Sequence, residues 1–215
     1  MVRLFSLLPW PVMALLSALL VWMAQDGYKE ELQREAEKAE ALRMDAPAPV
    51  AIDAFTTADV HLADEVHVTT WINTDHNYEL TKTRKGTDTV RRMFVLFGPG
   101  DTPETKVARG VVVLHPVDVD AFLAQVLSTA DVTDPRFVFS LLGKRVRSPD
   151  LSDMVDEAFE ERDLSKDSEF LVIEPYLEGR AAALAPDPEA PRRVATIFGV
   201  LGAISALIAL GKPQP

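Results

Sequence analysis

The chain has 215 residues, no cysteine and a net charge of −11. Without thiols it can form no disulfide, no zinc–thiolate centre and no cysteine nucleophile. All 33 acidic residues lie between Asp26 and Arg193, with every basic residue except Arg3 and Lys212, so that stretch stands at −13 and repels nucleic-acid phosphates.

The first element is an apolar run, Leu4–Ala24. As an α-helix it would rise about 31 Å, matching a hydrocarbon core roughly 30 Å thick. Trp22 stands where a leader-peptide cleavage site needs a small residue, so a retained membrane span is expected over 4–24. Pro9 and Pro11 either start this helix or kink it, and Trp10 and Trp22 sit towards its ends, where interfacial tryptophans are common.

Asp26–Arg43 is built from strong helix formers after Gly27. Tyr28, Leu32, Ala36, Ala39 and Leu42 recur at helical spacing and make one thin apolar stripe. A charged helical stalk is expected over 26–43. Residues 44–54 carry two Ala-Pro pairs and read as an extended linker.

An extramembrane domain is expected over 55–185. Val66–Ile72 alternates like a strand, Asn73–Asn77 reads as a polar turn, and Tyr78–Thr83 as the return strand of a hairpin. Arg91–Phe97 and Arg109–His115 read as two more strands, separated by a loop rich in Gly and Pro from Gly98 to Glu104. A helix follows Pro116, with Val119, Phe122, Leu123, Val126 and Leu127 on one face. Arg136–Leu142 is the next strand. Ser148-Pro149-Asp150 is a helix start, with Leu151, Met154, Val155, Ala158 and Phe159 on the buried face. Glu169–Tyr176 is a last long strand, and Ala181–Ala185 is expected to be a short closing one. A second proline linker, 186–193, leads to a second apolar run, Val194–Leu210, expected to span a membrane over 194–211.

The expected fold class is therefore α+β: a small, mainly antiparallel sheet or a partly open, OB-like barrel of five to six strands with two helices, flanked by N- and C-terminal transmembrane helices. The layout resembles that of the Surfeit-type oxidase assembly proteins, which place a β-rich domain between terminal spans. The resemblance is one of layout, none of that family's motifs falls on residues here, and it implies a part in membrane-protein assembly.

Motifs that carry chemistry are missing. The four histidines, His61, His67, His76 and His115, form no helical metal motif, and His115 is expected to be a core histidine beside Pro116. Gly98-Pro-Gly100 and Gly143-Lys144 do not fit a phosphate loop, and there is no nucleophile elbow or dinucleotide fingerprint. No catalytic residue, metal ligand or cofactor is expected. An enzyme with its site around His67 and Trp71 is the alternative, as is a lipid-headgroup or ligand-binding module.

Two features suit contacts instead. Ala195, Gly199 and Ala203 lie four apart, as do Gly202 and Ala206 and, in the first run, Ala14 and Ala18. Small residues at that spacing let helices approach closely in lipid. Two basic clusters stand out in the acidic domain: Lys82, Arg84, Lys85, Arg91 and Arg92, and then Lys144, Arg145 and Arg147. They are candidate contacts for anionic headgroups or an acidic partner. The reading is a two-pass protein of a cell membrane, expected to be a bacterial inner membrane. It would be an accessory, assembly or scaffold protein whose partners are membrane lipid and another membrane protein, not nucleic acid. Lys29, Arg34, Lys38, Arg192 and Arg193 flank the domain side, so positive-inside counting places the domain in the cytoplasm.

Overall fold

The computed structural model describes residues 10–84, 87–131, 133–134, 136–147 and 149–210. The chain divides into two compact units, Met1–Glu40 with Ala185–Pro215, and Ala41–Leu184.

In the first unit, helix α1 (Trp10–Arg43) supplies its residues up to Glu40, and helix α5 (Ala190–Leu210) runs antiparallel to it. Among the described residues one stretch, Ala190–Ile208, is long and apolar enough to cross a membrane. The first six residues of the expected 4–24 span, Leu4–Pro9, lie outside the described residues. Apart from Met13, the seam between the helices is small or polar: Ser17 and Ala24 of α1 are buried, as are Gly202 and Ser205 of α5. A Cβ placed on Gly202 would lie 3.3 Å from Val21 and 3.5 Å from the Cβ of Leu20, so glycine sets the approach there. Further along, the buried Glu35 carboxylate accepts a hydrogen bond from the Asp187 amide at 2.5 Å and pairs with Lys38 at 2.6 Å.

The second unit is a mixed sheet with helices. Its strands are β1 (Val50–Ala51), β2 (Glu65–Arg84), β3 (Thr87–Phe97), β4 (Val107–Leu114), β5 (Phe139–Arg145) and β6 (Ser165–Pro175). They run in the order β1-β2-β3-β4-β6-β5, and β2 also pairs with β5. Residues 65–70 of β2 bond to β5 and residues 71–84 to β3, so the five long strands return to where they began. Two pairings are parallel, β1 with β2 and β4 with β6; the others are antiparallel.

The expected turn at Asn73–Asn77 is not a turn. It is an irregularity inside β2: Ile72 pairs with Leu96 but Asn77 with Phe94, so five steps on β2 match two on β3. The three extra residues are an odd number, and an odd shift swaps the faces of a strand. Trp71, before the shift, and Tyr78 and Leu80, after it, therefore share one apolar layer.

Strand alternation sorts the core into two layers. Val66, Val68, Phe94, Leu96, Val112, Leu114, Phe139, Leu141, Leu171 and Ile173 meet inside, two from every long strand. Helix α2 (Val119–Thr129) closes onto them through Phe122, whose ring lies 5.2 Å from that of Phe94. Val119 and Val126 share that buried side, but Leu123 and Leu127 are exposed, so the helix is rotated from the face expected of it. The outer layer is Trp71, Met93, Val95, Phe97 and Val111, covered by Val155, Ala158 and Phe159 of helix α3 (Pro149–Glu161). Ser148, the expected N-cap, lies outside the described residues.

Other boundaries moved for local reasons. Strand β5 begins at Phe139 rather than Arg136 because Phe137 has φ of 52°, which no strand tolerates. Residues 180–183 form a short helix, α4 (Arg180–Ala183), rather than a closing strand, in keeping with the helix preference of alanine.

Candidate functional site

The two basic clusters lie at opposite ends of β2. Lys82, Arg84, Arg91 and Arg92 belong to an arm made by the far ends of β2 and β3; Lys85 and the side chains of Lys82 and Arg84 are outside the described residues. Pairing between β3 and β4 reaches only to Arg92, so Thr87–Val90 of the arm have no β4 neighbour. Arg92 pairs with Glu79 across the arm at 3.0 Å.

The second cluster sits where β5 ends. Lys144 pairs in register with Glu65 of β2, and Arg145 with Ile173 of β6. Arg145 has the same parity as Phe139 and Leu141, which point inward. Its guanidinium is 15% exposed and donates to Asp64 at 3.1 Å, while its Nε is buried without a hydrogen-bond partner. Arg147, two residues on, is exposed. Across from them β6 bulges: Lys166 pairs with Ala108 but Leu171 with Gly110, so four residues, Asp167–Phe170, face a single residue of β4. The bulge and the end of β5 frame a cavity of about 180 Å³, which Arg145, Arg147, Ser168 and Glu169 line above Phe55 and Leu171. The Glu169 carboxylate accepts a hydrogen bond from Thr57 Oγ1 at 2.9 Å. Gly143, just before the cluster, is a packing glycine: a Cβ there would come within 2.5 Å of the Glu174 carbonyl.

A third group was not legible in the sequence. Glu65 is buried and takes two bonds from Arg180, 2.7 Å to Nε and 3.0 Å to Nη2. The same guanidinium donates to the carbonyls of Ala41 at 2.7 Å and Met44 at 2.9 Å. One arginine thus ties together the points where the chain enters and leaves this unit. Tyr176 is packed with Ala41 and Leu184 beside it. Burial, and then the Glu65 carboxylate, push its phenol well above the usual tyrosine range, and its hydroxyl is buried without a hydrogen-bond partner. Glu65 and Arg180 are 115 residues apart, and neither belongs to a motif.

Near the loop after β3, Arg109 is held between Asp101 and Asp167, 2.9 Å from the latter. Its hydrogen bond holds the Asp167 carboxyl below the usual carboxylate range, against some burial. Arg136 does the same for Asp134 and also donates to the Pro99 and Asp101 carbonyls.

The histidines are tied to structure. His67 Nδ1 lies 2.6 Å from the Pro47 carbonyl, which can only accept, so Nδ1 carries the proton and Nε2 accepts from Ser140 Oγ at 2.6 Å. Trp71 is buried and donates to the Gly98 carbonyl at 2.7 Å. His76 meets the Tyr78 hydroxyl. His115 is exposed at the start of a 3-10 turn, which corrects the expectation of a core histidine; the chain leaves the sheet at Leu114 before reaching it. Among the described residues no cluster of three or more His, Asp or Glu groups could hold a metal ion.

Of the small residues singled out in the two runs, Gly202 lies in the seam. Ala195, Gly199 and Ala206 are half-buried, and a Cβ on Gly199 would meet nothing within 4 Å. Ala14, Ala18 and Ala203 are exposed. Ser17, Ala24 and Ser205 fill the seam in their place. The sequence matches no known family model and no curated protein.

Proposed function

We propose that this protein is a two-pass, membrane-anchored accessory or assembly factor, in which a helical pair in lipid presents an OB-like barrel to a membrane-protein partner. The observation that carries the reading is the exposed apolar surface of α1. Leu15, Leu19 and Trp22 face outward in the apolar run, and Tyr28 and Leu32 continue outward on the charged stalk beyond it. Lipid suits the first three; the stalk stripe suits a neighbouring helix of a partner.

The barrel reading rests on five strands that close through the double pairing of β2, with α2 at one end. Barrels of that kind bind oligonucleotides on their second and third strands, here β3 and β4. That face is occupied by α3, and the unit around it is acidic, so a protein partner is favoured over nucleic acid. The basic arm is a further contact for an acidic partner surface. Positive-inside counting assigns the domain to the cytoplasm.

A photo-crosslinking residue at position 32, in cells, tests the partner. A discrete adduct with another membrane protein is expected, lost when Tyr28→Glu is added to the same stripe. Adducts only with lipid would sink the partner reading and leave the anchor. A single cysteine at position 104 tests the side, since the chain has none of its own. It should react only with reagent admitted to the cytoplasm; labelling from outside alone would reverse the orientation.

A further inference from the structure

We propose that the cavity at the end of β5 binds a single phosphate group, carried as an ester of a small polyol such as glycerol. This goes beyond the anchoring role and does not depend on it.

The argument starts from Arg145. A guanidinium has five N–H donors and no acceptor. Here it faces the inside of the sheet, is mostly buried, and among the described residues pairs with one acid, the half-exposed Asp64. Its Nε has no partner at all. A buried donor left unpaired is costly, and native structures seldom keep one without water or a ligand to satisfy it. The space that Arg145 lines, about 180 Å³, is several times the roughly 30 Å³ share of one water.

The walls define the ligand. Arg145 offers planar, paired donors suited to phosphate oxygens, and Arg147 adds a second positive charge at the rim. Ser168 supplies a hydroxyl. Phe55 and Leu171 give an apolar floor on which the carbon part of an ester can lie. Glu169 stands on the same rim, held by Thr57, and its carboxylate opposes the added charge of further phosphate groups. Nucleoside di- and triphosphates are therefore excluded, and an ester of a single phosphate is preferred. The bulge in β6 opens this space, since regular pairing with β4 would place Asp167–Phe170 in the sheet.

Such a group could come free in solution or on a lipid headgroup, and two arms separate these sources. The full chain is placed in nanodiscs of phosphatidylcholine and titrated with glycerol phosphate, with inorganic phosphate and adenosine triphosphate as comparisons. In parallel, phosphatidylglycerol is doped into the discs without soluble ligand. The readout is the unfolding temperature of the domain. A saturable rise with glycerol phosphate names a free ester; a rise with phosphatidylglycerol alone names the headgroup. In either case Arg147→Ala should weaken the response about tenfold, as for loss of one charged contact. Arg147 is exposed, so that variant should fold even if Arg145→Gln does not. Glu169→Gln should tighten binding and admit adenosine triphosphate. No saturable response in either arm overturns the proposal, as does a response that Arg147→Ala leaves unchanged.

Discussion

The two units of this chain bury opposite kinds of side chain. In the Ala41–Leu184 unit the largest apolar residues are inside: Phe97, Phe122, Phe139 and Leu141 are almost wholly covered. In the helical unit most large apolar residues are outside, Met13 being buried. Leu15 is 72% exposed and Leu207 69%, while Ser17 and Ser205 are buried. In water the first arrangement is stable and the second is not, because exposed apolar area costs about 25 cal/mol per Å². In hydrocarbon that cost vanishes, and close packing of small residues is what remains to hold helices together. The contrast teaches that the two units bury by different rules, the helical one in keeping with the proposed membrane anchor, and that each should fail by a different route.

The sheet unit should break most sharply at its buried charge. Arg180→Leu strands Glu65 without a partner, and the expected loss is roughly 3–5 kcal/mol. Thermal unfolding followed by near-ultraviolet circular dichroism should register it. The double variant Glu65→Leu with Arg180→Leu should recover most of the loss, since an apolar pair can replace a buried ion pair. Equal loss in both would mean that the contacts of Arg180 with Ala41 and Met44 matter more than its charge.

Truncation sharpens the boundary of that unit. A fragment of residues 41–184 should unfold cooperatively. One of residues 55–185 lacks β1, the buried Ile52 and both carbonyls that Arg180 holds. It should be weaker by roughly 2–4 kcal/mol, the range for losing one buried isoleucine. Matching urea midpoints for the two fragments would show that residues 41–54 add nothing.

The helical unit is broken by size rather than charge. Cysteines at 20 and 202, whose Cβ atoms would stand 3.5 Å apart, should form a disulfide within one chain. Gly199→Leu should leave the yield unchanged, because that site is open. Gly202→Leu should cut the rate of crosslinking between cysteines at 27 and 194 severalfold. A disulfide joining two chains would move the seam from within the chain to between copies.

The smallest effect expected is on pH. Asp167 is held below its ordinary range by Arg109, so the folded form binds its proton less readily than the unfolded chain. Its stabilisation is present above the unfolded value of about 4 and fades as pH falls through the lower folded one. Asp167→Asn should remove up to about 1 kcal/mol at neutral pH, as a partly exposed pair allows, and flatten the stability curve below pH 4.

Much of the layout was legible along the chain, because it rests on short-range pattern. Alternation marks Val66–Val68, the β-branched run marks Val111–Val113, and the unbroken apolar run marks α5. Position within a face was less so. The thin stripe at Tyr28 and Leu32 has helical spacing, but spacing cannot say which side of a helix finds a neighbour, and the side that did carries Glu35. The turn signals at Asn73–Asn77 were real polar residues placed in a bulge, since only pairing with β3 decides whether such a stretch reverses the chain.

The sequence by itself determined that this protein has no thiol chemistry, an acidic middle and apolar ends, because those follow from composition alone. Only the tertiary structure decided that β2 pairs on both sides, that Glu65 meets Arg180 across 115 residues, and that Arg145 turns inward over a cavity. Each of these is a contact between residues distant in the chain, and local periodicity carries no record of which distant strand will supply the partner.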